Sequence, residues 1–267
     1  MLHAKADPLA NLLRVSKTHH AMVEVTTECN LRCSYCLVSS PEWFGRTHPD
    51  EYLRDALAQL LKRDPNVVHL HGHGETTIVP NWQEYAKMVI DAGVGVSICS
   101  NLNKAFTDEE IDLLSRFTHL AVSIDTINPE MFKSLRRGGD VRQVTHNLLR
   151  IMTAARINRR PLRVSFSIVV CDVNIDKLLE LTHYAALIGI NGMTFCNLGV
   201  NETPKNAIEV KHISQLPVDR CIKALSMFNE IRSVCAMSKI TCDLKYGIID
   251  SLKDKIMGTS RVPLMVI

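Results

Sequence analysis

The sequence predicts an α/β fold built on a parallel sheet, and three observations carry that prediction. Six short runs rich in Val and Ile recur between residues 21 and 198. Helical patterns fill the gaps between them. Strand and helix therefore alternate, which implies parallel strands joined by right-handed crossovers. A flat doubly wound sheet and a curved partial barrel both satisfy this alternation, and in either one ligands gather at the carboxyl ends of the strands.

The expected strands are Ala21–Thr27, Val67–Gly72, Val94–Cys99, His119–Asp125, Leu162–Val170 and Gly192–Leu198. Each is a β-branched run bounded by turn residues. Between them, Asp50–Leu61 puts Tyr52, Leu53, Ala56, Leu57, Leu60 and Leu61 on one helical face. Trp82–Ile90 follows, then Thr107–Leu114, which opens with the capping phrase Thr107-Asp-Glu-Glu110. Val141–Ala155 and Ile175–Leu187 complete the set, the latter stopped by Gly189. Beyond Val200 the pattern weakens to a loop with Pro204 and Pro217, a helix from Val218 to about Val234 and a short strand at Lys239–Asp243. The chain ends inside the apolar phrase Val262–Ile267, which suggests that a C-terminal portion is missing. The expected organisation is an extension over residues 1–20, a core over 21–200 and a C-terminal segment over 201–267 that begins an auxiliary region.

Composition narrows the function classes. Of 267 residues, 46% are hydrophobic, enough for a substantial core. A formal charge of +3 does not call for a nucleic-acid or membrane partner. No apolar run is bilayer-length, and the first twenty residues lack an apolar signal region, so a cytoplasmic protein is expected. Nine cysteines is an odd number for a paired disulfide framework, and three of them lie within eight residues. In a reducing compartment such a cluster points to metal or catalysis.

That cluster is Cys29-Asn-Leu-Arg-Cys33-Ser-Tyr-Cys36, directly after the first strand. Thiolates suit iron–sulfur clusters, which usually take four protein sulfurs, so three would leave one iron open for chemistry. The alternatives are a zinc site, with His48, His71 or His73 available as a fourth ligand, and a thioredoxin-like use of Cys33 and Cys36 that leaves Cys29 unexplained.

The octet resembles the signature of the radical S-adenosylmethionine (radical SAM) superfamily, including the aromatic Tyr35 before the third cysteine. Further resemblances follow in order along residues 21 to about 200. Gly72-His-Gly-Glu75 is similar to the family's Gly-Gly-Glu motif, with His73 in place of its first glycine. The resemblance implies a partial (β/α)6 barrel with a short C-terminal appendage. It implies a 4Fe-4S cluster on Cys29, Cys33 and Cys36, with S-adenosyl-L-methionine chelating the open iron. In the family, an electron then releases a 5′-deoxyadenosyl radical that abstracts hydrogen from substrate, while the protein positions and shields it. A reductant such as flavodoxin or ferredoxin is the implied partner.

Cofactor contacts are expected from Tyr35 and from several strand ends. Glu75 would accept from the methionine ammonium, and Gly74 would let the backbone approach closely. Asn101 follows the third strand. Ser123 and Asp125 share a face of the fourth, as the family's Ser-x-Asp phrase does. Arg136 or Arg137 suits the methionine carboxylate. Ser167, near the end of the fifth strand, suits a ribose hydroxyl, and Asn174 lies in a phrase that recurs in the family. Cys221, Cys235 and Cys242 match no known auxiliary-cluster spacing, so core packing is the expectation for them. The motif order resembles peptide-modifying and SPASM/twitch-type members, which makes a peptide under maturation the leading substrate expectation. Oxidation or rearrangement of a small molecule, a sugar or antibiotic precursor, comes second. A zinc- or cluster-stabilised binding module without turnover is the alternative of another class.

Overall fold

Arg163–Val170 (β7) shows how the sheet is built, because its side chains alternate strictly between two environments. Val164, Phe166, Ile168 and Val170 are buried under helices, while Ser165, Ser167 and Val169 face the other way and stay half-buried. Such alternation is the signature of one face packed on a core and one face left for ligands. The computed structural model describes residues 20–198, 210–245 and 247–259. The expectations for the N-terminal extension, for the loop at 201–209 and for the phrase at 262–267 lie largely outside those residues.

Seven strands form one sheet in the order His20–Met22 (β1), Val67–His69 (β3), Gly95–Ser100 (β4), His119–Ser123 (β5), β7, Gly192–Asn197 (β8) and Thr241–Leu244 (β9). Every neighbouring pair is parallel. The sheet curls into a half-barrel, as the partial-barrel expectation required. All six expected strands are present. The segment expected as a short C-terminal strand is the seventh, hydrogen-bonded to β8 with Thr194 opposite Asp243. A separate two-stranded ribbon, Arg32–Cys33 (β2) with Arg136–Arg137 (β6), ties the cysteine loop to the chain after β5.

Eight α-helices flank the described strands: Asp50–Leu61 (α1), Trp82–Asp91 (α2), Asp108–Ser115 (α3), Pro129–Leu135 (α4), Val141–Ile157 (α5), Leu178–Ile188 (α6), Val218–Met237 (α7) and Ile248–Met257 (α8). Their boundaries follow local chemistry. Thr107 caps α3 through a complete capping box with Glu110. Asn128 caps α4, whose first residue is Pro129, and Asp140 caps α5. Gly189 ends α6 in the left-handed region at φ +80°, where a side chain is strained. Ile175–Lys177, expected within α6, forms a 3-10 turn before it.

The core lies between the convex face of the sheet and the helices. Val68, Ile98, Leu120, Val122, Phe166, Ile168 and Phe195 are fully buried there, and Phe195 meets Phe228 of α7 edge-on at 5.8 Å. Burying each such side chain stabilises by about 1.5–3 kcal/mol. The concave face is left to polar groups, His69, Ser97, Cys99, His119, Ser123, Ser165, Ser167, Thr194 and Cys196 among them. Among the described residues, no helix is long and apolar enough to cross a membrane.

Candidate functional site

The cysteine loop leaves the sheet after Val23, whose N–H makes the last strand-like bond to the His69 carbonyl at 2.9 Å. An isolated bridge between Thr26 and Thr47 then steers the chain over the carboxyl ends of the strands. The turn after β3 crosses directly beneath it. Glu75 N–H donates to the Glu28 carbonyl at 2.8 Å, and a Cβ on Gly74 would stand 2.3 Å from the Thr26 oxygen and 2.5 Å from the Glu28 oxygen. Only glycine fits there. The close approach expected of Gly74 is thus made to the cysteine loop's own backbone.

Two of the three thiols have N–H donors at their sulfurs. Leu31 N–H donates to Cys29 Sγ at 3.4 Å, Asn101 Nδ2 to the same sulfur at 3.8 Å, and Arg136 Nη1 to Cys33 Sγ at 4.0 Å. Hydrogen bonds to sulfur are the outer-shell feature that tunes thiolate-bound clusters. Burial raises the Cys29 thiol above its ordinary pKa and pushes Cys33 up to about 12, with the Arg136 cation opposing the latter. Burial thus favours the neutral thiols, and a bound metal would have to displace their protons. A single zinc ion needs donors drawn to one point, whereas a cluster takes them at separate corners. Three thiols carried on one short loop, two of them with N–H donors at sulfur, are a donor set that fits an iron–sulfur cluster. A cavity of ≈ 350 Å³ adjoins Cys29, with Glu28, Arg32, Ser40 and Trp43 in its wall.

Glu75 is buried, and its carboxylate already accepts four hydrogen bonds. Oε1 takes Thr77 N–H at 3.2 Å, Thr77 Oγ1 at 2.7 Å and Ser100 Oγ at 2.9 Å, and Oε2 takes Asn101 N–H at 2.7 Å. A carboxylate has about four such places. Glu75 therefore holds the turn after β4 against the turn after β3. Burial still raises its pKa despite those donors. Asn101, positioned this way, spans to Asn30 Oδ1 at 2.9 Å as well as to Cys29. The next residue, Leu102, is fully buried at φ +50°, an uncommon backbone for leucine and a local strain at the cluster-side turn.

Asp125, two residues past β5, is completely buried beside Arg136, with Nε 2.8 Å from Oδ2 and Nη2 donating to Oδ1 at 3.1 Å. Tyr35 donates its hydroxyl to Oδ2 at 2.5 Å, and Val169 N–H donates to Oδ1 at 2.8 Å. Burial pushes the Tyr35 phenol above its ordinary pKa. Tyr35, Asp125 and Arg136 thus come together, but as a lock between the cysteine loop and the strand ends. Arg137 instead donates through Nε to the Arg32 carbonyl at 2.8 Å. Asn174 bonds the Val169 carbonyl at 2.8 Å and also reaches the Asp125 carbonyl.

Ser123 and Ser167 are register partners on β5 and β7, both on the concave face. Ser123 Oγ lies 3.4 Å from Cys99 Sγ, a thiol with no role in the sequence reading. Ser100, read beside Asn101 as a polar residue at the end of the third strand, bonds Glu75. Asn30 and Asn103 were missed; Asn30 lies within the cysteine octet, and the signal for Asn103 was the Asn-Leu-Asn turn after β4, where Asn103 N–H donates to Asn101 Oδ1 at 2.8 Å.

Comparison with known proteins gives the family and the fold. The family model described as "Radical SAM superfamily" matches residues 23–185. GTP 3′,8-cyclase of Limosilactobacillus fermentum is 27% identical over 180 residues, covering 62% of this chain and 50% of that protein. The GTP 3′,8-cyclase of Peptoclostridium acidaminophilum is 23% identical over 239 residues, 84% of this chain and 63% of that one. The chain spans about half the length of the first of these curated relatives. Among solved structures, Streptococcus suis SuiB bound to S-adenosylmethionine superposes with a TM-score of 0.65 at 12% identity, covering 91% of this chain and 57% of that chain. Native anSMEcpe with bound AdoMet gives 0.61 at 16% identity, covering 85% and 64%. Enzymes of the matched family work with a 4Fe-4S cluster and S-adenosylmethionine. With the family model spanning more than half of its residues, the chain belongs to the radical SAM superfamily.

Proposed function

We propose that this chain is a radical SAM enzyme that abstracts hydrogen from a small polar molecule lying on the concave face of the half-barrel. The observation that carries the reading is the lining of that face. Hydroxyls, imidazoles and thiols occupy the inward positions of β3, β4, β5, β7 and β8, where a closed core would place Val and Ile. The curated relatives, named GTP 3′,8-cyclases, carry a small polar molecule in their name.

Cys29, Cys33 and Cys36 would hold the cluster, and S-adenosylmethionine bound to it would supply the hydrogen-abstracting 5′-deoxyadenosyl radical. Leu31 N–H, Asn101 and Arg136 set the field at the sulfurs. Tyr35, Asp125, Gly74 and Glu75 act as positioning residues. Ser123 and Ser167 offer hydroxyls where a ribose would lie. A reductant such as flavodoxin or ferredoxin would deliver the electron.

A peptide substrate is the second reading. It draws on the motif order along residues 21 to about 200 and on the likeness in fold to SuiB, one structure of which holds the precursor peptide SuiA at a TM-score of 0.67.

The test is anaerobic. Protein reconstituted with iron and sulfide, then reduced, is given S-adenosylmethionine, and 5′-deoxyadenosine is read by mass spectrometry beside a Cys29→Ala, Cys33→Ala, Cys36→Ala variant. Product from the parent protein alone is expected. Pools of nucleotides and sugars against pools of peptides, scored by stimulated deoxyadenosine release, separate the two substrate readings. A protein that takes up zinc without sulfide would sink both.

A further inference from the structure

At the amino ends of β5, β7, β8 and β9, away from the cysteine loop, the concave face opens into a cavity of ≈ 230 Å³ lined by His119, Arg163, Ser165, Asn191, Thr194 and Asp243, among others. Its chemistry is that of a donor set. Arg163 is exposed, and its guanidinium makes no ion pair among the described residues. The Asn191 side-chain oxygen is already bound to Val164 N–H at 2.7 Å, which leaves that side chain its N–H donors. His119 Nε2 and Ser165 Oγ are 2.8 Å apart, which fixes the Ser165 hydroxyl at the cavity wall. Thr194 adds another hydroxyl. The one carboxylate in the wall, Asp243, is matched by Lys245 Nζ at 2.6 Å. A guanidinium with no ion pair among the described residues, beside hydroxyls and an amide, and with the local acid paired, suits an anion.

We propose that this cavity binds a phosphoryl group of the substrate, and so anchors a phosphorylated small molecule such as a nucleotide. The inference rests on the small-molecule reading above and deepens it. Arg163 and Ser167 share the concave face of β7, four residues apart, which sets them about 13 Å from each other along the strand. A substrate held by its phosphates at Arg163 would therefore lie with that end about 13 Å along the strand from the level of Ser167, on the side away from the cysteine loop. Strand rise thus sets the ligand's length, and Arg163 sets its charge. The cavity is too small for a whole nucleotide, and fits one end of one.

The test uses the reconstituted, cluster-loaded protein and three probes: inorganic pyrophosphate, GTP and guanosine, titrated by calorimetry at low and at moderate salt. Pyrophosphate and GTP should bind, guanosine at least about tenfold more weakly than GTP, and the phosphate affinity should fall with salt. Arg163→Ala should weaken pyrophosphate and GTP by about tenfold or more without changing guanosine, and Arg163→Lys should restore part of the loss. Pyrophosphate binding that is absent, or equal in the parent protein and Arg163→Ala, overturns the anion site. So does guanosine binding as tightly as GTP. The two readings fail separately. A parent protein that yields deoxyadenosine but ignores pyrophosphate loses only the anion site. One that yields none with its cluster intact loses the enzyme reading, whatever pyrophosphate does.

Discussion

Arg136 and Asp125 form a buried ion pair, Nε to Oδ2 at 2.8 Å, that joins the chain on either side of α4 beneath the cysteine loop. Asp125 lies two residues past β5, while Arg136 belongs to the ribbon paired with Cys33 and reaches that residue's sulfur with Nη1. Tyr35 closes the group from within the cysteine octet, its ring 5.7 Å from the guanidinium carbon. Two charges out of water are costly unless fully paired, and here the same two carboxylate oxygens also accept from the Tyr35 hydroxyl and Val169 N–H. The arrangement gives the loop a single position relative to the strand ends.

Removing one partner is therefore predicted to be far worse than removing both. Asp125→Ala leaves the Arg136 charge buried alone, a loss of about 3–5 kcal/mol, whereas Asp125→Leu with Arg136→Met should recover most of that. Urea unfolding reads the stability, and iron and sulfide content reads the loop. Equal losses in the single and double variants would refute the ion-pair account. The double variant should still load less iron than the parent, because the loop has lost its anchor.

Gly74 and Gly72 should differ sharply in their tolerance of alanine. At Gly74 the new Cβ meets backbone oxygens of Thr26 and Glu28, at 2.3 and 2.5 Å, which cannot move without shifting the cysteine loop. At Gly72 it meets the Glu24 side chain, 2.1 Å from Oε1, and that side chain can rotate away. Gly74→Ala is expected to cost about 1–3 kcal/mol or more and to impair cluster loading. Gly72→Ala should do much less of both, apart from freeing His73 from the carboxylate it contacts at 3.0 Å. Melting temperature and iron content measured on both variants decide it.

Three concave-face histidines set a pH dependence. His69, His71 and His119 all have pKa values lowered from 6.5, chiefly by burial and then by one another's charge or that of His20 and Arg163. The unfolded chain therefore binds more protons than the native one over this range, and stability rises with pH. Their contribution is complete above 6.5 and is lost as pH falls through that value toward the native ones. Urea midpoints should drop between pH 7 and pH 5.5, before carboxylates such as Glu110 begin to titrate. His71→Gln should flatten that slope; an unchanged slope would remove His71 from the account.

Much of this was legible in the sequence, for local reasons. The helix Asp50–Leu61 and the capping box at Thr107 are written in side-chain periodicity and in one tetrapeptide. The cysteine spacing needs no fold to be read. The helix at Pro129–Leu135 was missed although Asn128-Pro129 carries a start signal. What the sequence withheld was tertiary. Glu75 looks like a free carboxylate until Ser100 and Asn101 arrive from the next strand and fill it. Asp125 and Arg136 are separated by a helix, so nothing local pairs them. The short strand itself was read, at Lys239–Asp243, but its place as the seventh strand of the sheet, in register with β8, was not.

Asn101 offers the most direct reading of the cluster's surroundings. Its Nδ2 lies 3.8 Å from Cys29 Sγ, and its backbone N–H is fixed by Glu75 at 2.7 Å, so the side chain is aimed without relying on its own flexibility. An N–H dipole pointed at a ligand sulfur stabilises the more negative, reduced cluster and so raises its potential. Asn101→Ala removes that dipole while leaving the Glu75 contact, which is made by the backbone. The variant is expected to load iron and sulfide normally but to show a more negative potential in a spectroscopically monitored redox titration. Reduction by a given donor should then be slower, and deoxyadenosine formation with it. A normal potential in a fully loaded variant would mean that the amide serves Asn30, 2.9 Å away, and only shapes the loop. Glu75→Gln separates the two effects, since it disturbs the aim of Asn101 through the backbone without deleting the amide, and a smaller shift of the same sign is expected from it.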